Sequence, residues 1–214
     1  MENKVTKKDK IEIFRAILKK YEINSYLNKG DFNTIISLFK SHPYWIQKEG
    51  SGVEKIKIYL NSWKDKAFLI IRKDGTSTDI SFRMAVKGSP STNLEKIKMA
   101  CRQAITPTIL QYKDSLNFEN LYCPITNEKL TKDNCQIDHY DLTFDGLFKK
   151  WLQNKDINFL VSKLNDSLKD NILVDKFEDD KLIQDFIIFH NQNTHLRTVS
   201  IKGHSILHKN NNNI

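Results

Sequence analysis

Cys135-Gln136-Ile137-Asp138-His139 is the stretch on which the reading of this chain turns. Its polar and apolar residues alternate as on a short β-strand, and it ends in an acid–imidazole pair. Neighbouring strand residues project to opposite faces, so one of the pair can hold a cation while the other acts on a water close by. His195 lies 56 residues beyond His139 and opens a second strand-like run, Leu196-Arg197-Thr198-Val199. His204 follows nine residues after His195, and His208 four after that. On a helix those two histidines share one face. One strand carboxylate and two imidazoles from one helical face suit a divalent ion. Zn, Mn or Ni fits imidazole, and Mg is supported more weakly because it prefers all-oxygen shells.

This pattern resembles the ββα-metal (HNH) endonuclease motif. There an Asp-His or His-His pair ends the first strand, a polar residue precedes an apolar second strand, and a helical His or Asn binds the metal. Asp138-His139 matches the first element, His195 to Val199 the second and His204 the third. The His204-x-x-x-His208 pair is similar to a variant found in bacterial toxin nucleases. The resemblance implies Asp138 and His204 as metal ligands, His208 as a third, and His139 as the general base that activates water.

This sequence departs from the family pattern at several places. His195 stands where the family has Asn, and Asn193, two residues earlier, could orient the base instead. Many HNH proteins hold a structural zinc with two Cys-x-x-Cys knuckles. Here Cys123 is followed at that spacing by Thr126, and Ser200 and Gly203 occupy the second pair, so no zinc is expected there. The stretch from His139 to His195 is far longer than the usual loop, which predicts a helical insertion over about 144–190. Cys123-Pro-Ile-Thr126 with Trp151, and Phe189-His190 with Leu196-Arg197 closing the segment, are similar to a phage and bacterial subgroup with such an insertion. His190, on an apolar stretch, reads as a partly buried hydrogen-bonded residue and not as a ligand.

Charge divides the chain differently. Residues 1–120 hold 22 Lys and Arg against 13 Asp and Glu, whereas residues 121–214 hold 12 against 13, within 214 residues of net charge +8 and pI near 9.2. Five of the six histidines fall after residue 138. A basic part and a histidine-bearing part suggest a division between gripping a polyanion and acting on it. Three cysteines at uneven spacing argue against a disulfide framework, and no apolar run reaches the roughly 20 residues of a membrane span. The expectation is a cytoplasmic protein with no membrane partner.

In the N-terminal part, residues 8–21 predict a helix, and Asp31 is expected to cap a second one reaching Phe39. Lys55–Leu60, Ala67–Ile71 and Ser77–Phe82 read as strands, the last two joined by the Lys73-Asp-Gly75 turn. A helix from Leu94 to about Tyr112 carries Pro107, which should kink or interrupt it. Further helices are expected at about 144–153, 157–169 and 178–189. His42-Pro43, Gly50-Ser-Gly52 before a strand, Arg72-Lys-Asp-Gly75 and Asp79-Ile-Ser-Phe82 resemble the module named after the plastid protein Defective Chloroplasts and Leaves (DCL). The match spans roughly residues 30–90. That family is linked to plastid ribosomal RNA maturation, and similar modules occur at the tail of plant RNA polymerases, which implies an accessory nucleic-acid role. Lys55, Lys57, Lys64, Lys66, Arg72, Lys73, Arg83 and Lys87 around the sheet, with Arg197 in the second part, are the expected nucleic-acid contacts.

The sequence therefore predicts an α+β protein. Residues 1–115 form a small basic α/β module whose sheet contains a β-hairpin, and residues 116–214 form an HNH-like domain interrupted by helices. The expected activity is metal-dependent hydrolysis of DNA, or of RNA, of a restriction or phage type. One such centre cuts one strand, so a double-strand break would require a homodimer or successive nicks. The competing expectation is a non-catalytic RNA-binding or RNA-processing factor with a structural ion.

Overall fold

The computed structural model describes residues 5–61, 65–166, 169–170 and 174–210. By packing, the chain divides into one unit of Met1–Thr92 with Asp166–Asp175 and a second of Asn93–Asn165 with Lys176–Ile214. The packing boundary thus precedes the long central helix, whereas the change in composition follows it. Lys64, Trp63 and the Asn-rich tail lie outside the described residues.

The first unit begins with α1 (Lys7–Lys20), which Thr6 starts through a reciprocal capping box with Asp9. Helix α2 (Lys29–Phe39) is capped by Asn28, not by Asp31. Asp31 instead sits within the first turn and accepts from Lys20 Nζ and Tyr21 Oη, both at 2.6 Å, stapling the two helices. A five-residue helix, α3 (Trp45–Glu49), leads into β1 (Val53–Leu60), β2 (Lys66–Arg72) and β3 (Ser77–Ile80). These form an antiparallel sheet in the order β1-β2-β3. Alternation places Ile56, Ile58, Phe68 and Ile70 on the buried face. There they meet Phe14 and Phe39, whose rings are 5.1 Å apart and edge onto Phe68. The third strand stops two residues earlier than expected, because Ser81 caps α4 (Phe82–Lys87) through its bond from Met84 N.

In the second unit α5 (Asn93–Asp114) runs through Pro107 without interruption. With α6 (Phe144–Leu152), α7 (Ile157–Ser162) and α8 (Asp180–Asn193) it encloses Ile97, Cys101, Leu147, Trp151, Leu160 and Phe186. Helix α7 ends seven residues short of its expected limit, closed by Lys163, whose N–H bonds back to Leu160 O and Val161 O. Strands β4 (Cys135–His139) and β5 (Leu196–Ser200) pair antiparallel, and α9 (Ile201–Asn210) follows β5 directly. No helix among the described residues is long and apolar enough to cross a membrane.

Candidate metal centre

The pairing of β4 with β5 sets Asp138 opposite Arg197 and His139 opposite Leu196. Directly opposed residues share a face, so Arg197 reaches its partner: Nε lies 2.8 Å and Nη2 2.7 Å from Asp138 Oδ2. The other carboxylate oxygen, Oδ1, is left for α9. His208 Nε2 stands 3.3 Å from it and His204 Nε2 3.9 Å, with the two imidazole centroids 4.3 Å apart. Burial and the neighbouring His208 push His204 below the usual imidazole range, so it presents a neutral lone pair.

This group can hold a metal ion. Asp138, His204 and His208 each offer one ligand atom, and all three atoms lie within 4.8 Å of one another. Donors about 2 Å from a shared ion stand roughly 3–3.5 Å apart, so the three need to draw in only slightly. Asp138 is buried and already fixed on its far oxygen, which points the near one at the histidines.

His139 faces the opposite side of β4, as alternation requires, and its partners come from the helices. Its ring edges onto Phe144, and Nε2 lies 3.1 Å from Nε2 of the buried His190. Asn191 Oδ1 is 3.0 Å from His190 Nδ1. A carbonyl oxygen only accepts, so His190 carries its proton on Nδ1 and accepts from His139 Nε2–H. His139 Nδ1 is then the unprotonated nitrogen. Burial, aided by the neighbouring His190, lowers the His139 pKa to about 4.

His195 and Asn193, the other two residues expected at the catalytic centre, have partners of their own. The exposed His195 ring pairs with the Asp141 carboxylate, and its backbone carbonyl accepts from Tyr140 N at 2.8 Å. Asn193 ends α8, where its amide donates to Phe189 O and accepts from Lys150 Nζ. The partner that the sequence did not assign to His139 is His190. Its clue was its place just ahead of the second strand, on a helix that must return to the motif.

The four positions of the missing knuckles do converge. Thr126 Oγ1 and Ser200 Oγ are 3.0 Å apart, and Glu128 Oε2 accepts from both, at 2.8 and 2.7 Å. Ser200 Oγ also receives Gly203 N. A Cβ on Gly203 would stand 2.8 Å from Cys123 Sγ, so glycine lets α9 approach that loop. A hydrogen-bonded clasp holds the base of β5 and α9 here.

Among the expected nucleic-acid contacts, Lys55, Lys73, Arg83 and Lys87 are exposed and Lys57 is half-buried. Arg72 is the exception. It is buried, and its guanidinium donates to Lys48 O, Gln47 O, Thr76 Oγ1 and both oxygens of Asp170, so it is no solvent-facing cation. Arg197 likewise serves Asp138.

A family model described as "Protein of unknown function (DUF3223)" matches residues 15–86, inside the first unit. Over 76 residues the chain is 34% identical to DNA-directed RNA polymerase IV subunit 1 of Arabidopsis thaliana; the match takes 35% of this chain and spans about 5% of that relative's length. The solution NMR structure of an uncharacterized protein from Rhodospirillum rubrum covers 40% of this chain and 91% of its own, at 20% identity and a TM-score of 0.36. The family match leaves Asp138, His204 and His208 outside it.

Proposed function

We propose that the second unit is a divalent-metal-dependent endonuclease centre of the ββα-metal class, cutting phosphodiester bonds in DNA, and that the first unit is an accessory nucleic-acid-binding module. One observation carries the first half: a strand carboxylate and two imidazoles one helical turn apart converge at a β4–β5–α9 junction. The polymerase relative, an enzyme whose name ties it to DNA, supports the second half. An ion held by Asp138, His204 and His208 would offset the charge that develops on the phosphate and the leaving oxygen. The remaining work falls to the chain. His190 holds the His139 ring by the Nε2–H bond, and His139 Nδ1 takes the proton of the attacking water. Arg197 keeps Asp138 turned so that Oδ1 faces the histidines.

One observation favours the rival, a non-catalytic RNA-binding factor with a structural ion. A histidine lowered to about 4 is a weak base at neutral pH. A single gel separates the two readings. Plasmid, linear DNA and RNA are incubated with purified protein and Mg, Mn, Zn or Ni. The wild type should cut, His139→Ala should bind nucleic acid without cutting, and absence of cleavage with every ion would sink the enzyme reading.

A further inference from the structure

The Arg72 guanidinium is fixed before it meets any ligand. Nε donates to Lys48 O at 3.0 Å, Nη2 to Gln47 O at 3.1 Å and Nη1 to Thr76 Oγ1 at 3.2 Å. Gly50 makes room for it, since at φ +53° a Cβ there would stand 2.7 Å from Nε. Three of the five N–H groups are thereby spent, and the remaining two form a fork aimed at one oxyanion. Asp170 fills that fork with Oδ2 at 2.7 Å and Oδ1 at 2.9 Å, yet its own side chain is 44% exposed against 6% for Arg72. The receptor is rigid and buried, whereas the occupant is exposed at its edge and otherwise tied to the sheet through a bond with Thr78. Lys48, also buried, lies behind the fork with Nζ 3.0 Å from Thr78 Oγ1.

We propose that the Arg72 fork is a phosphate receptor, and that Asp170 is an internal surrogate which a backbone phosphate of a nucleic-acid strand displaces. The two non-bridging oxygens of a phosphodiester match the spacing a carboxylate offers to such a fork. With Asp170 out of the fork, Arg72, Lys48 and the neighbouring Lys73 outnumber Asp79 and Asp74 by one charge, so the vacated site draws an anion. Exposed Lys73, which packs against Gly52 at the same turn, extends positive charge along a strand's path. The strand as the source of the phosphate rests on the accessory role proposed for the first unit; the fork itself does not.

The test uses the full chain without divalent ions, so that cleavage contributes nothing. Asp170→Ala is compared with wild type and with Glu12→Ala, which removes an equal charge from an exposed site on α1. Inorganic phosphate, against chloride at equal ionic strength, should raise the melting midpoint of Asp170→Ala and leave the other two unmoved. Oligothymidylate should bind Asp170→Ala about tenfold more tightly than wild type, with less than about a twofold gain for Glu12→Ala. An Asp170→Ala protein that behaves like Glu12→Ala in phosphate overturns the receptor. A phosphate response without an oligothymidylate gain, or tighter binding of polyglutamate than of oligothymidylate, overturns the strand as its source.

Discussion

Each unit contains an arginine–carboxylate pair with one sheltered member, Arg72 with Asp170 and Arg197 with Asp138, and the two are built in opposite senses. In the second unit the carboxylate is the sheltered member, Asp138 at 7% side-chain exposure against 22% for Arg197. In the first unit the arginine is sheltered, Arg72 at 6% against 44% for Asp170. The buried member of each pair is held by the fold, while the exposed member is the one that solvent or a ligand can replace. One unit therefore keeps a fixed anion, flanked by two imidazoles, and the other keeps a fixed cation. A divalent ion suits the first arrangement and an oxyanion the second.

The largest effect should come from stripping the fixed anion of its partner. Arg197→Met leaves a buried carboxylate uncompensated and should cost about 3–5 kcal/mol in chelator. Saturating Mn²⁺ should restore most of that, read as urea midpoints with and without the ion. If the ion restores nothing, Asp138 is no ligand.

Acid should next weaken the first unit through a histidine of its own. His42 is buried, its Nδ1 accepts from Tyr44 N at 3.1 Å, and burial, with the charge of Lys48, lowers its pKa to about 4. Its folded pKa lies below the unfolded value near 6.5, so its contribution is complete above that pH and is lost as pH falls toward 4. The loss is up to about 3 kcal/mol. His42→Asn, which keeps an acceptor near the Nδ1 position, should flatten the pH dependence of the first unit's urea midpoint between 6.5 and 4.

Smaller changes probe the supports of each pair. Gly50→Ala meets both a positive φ and the Arg72 side chain, and should cost the first unit about 2 kcal/mol by thermal denaturation. Ser200→Ala removes the centre of the clasp below α9 and should cost about 1 kcal/mol, with cleavage retained. A larger loss of metal affinity than of stability in that variant would mean the clasp positions the histidines.

The strands of the first unit were legible because Ile56, Ile58, Phe68 and Ile70 alternate without a break and Gly75 marks the turn. Helix α3 was not, since five residues carry too little periodicity, and α4 was hidden because Ser81 reads equally as strand or cap. The candidate metal-binding group could be read because helical spacing joins His204 to His208. The partners of its members could not. Arg197 opposes Asp138 only through strand register, and His190 reaches His139 only through packing of the inserted helices. Asp170 lies 98 residues from Arg72, a pairing that no local pattern announces.

The long insertion between β4 and β5 also sets a clock. Asp138 and His204 are separated by 66 residues, so at ~5–20 residues per second the acid leaves the ribosome roughly 3–13 s before the first helical histidine. Closing that loop carries its entropy cost before any ion can reward it. A half-made chain thus lacks two of the three candidate ligands, and the candidate centre is complete only once β5 and α9 have been made. On the proposed reading, a chain that has not yet reached His204 could bind nucleic acid through its first unit but could not cut it.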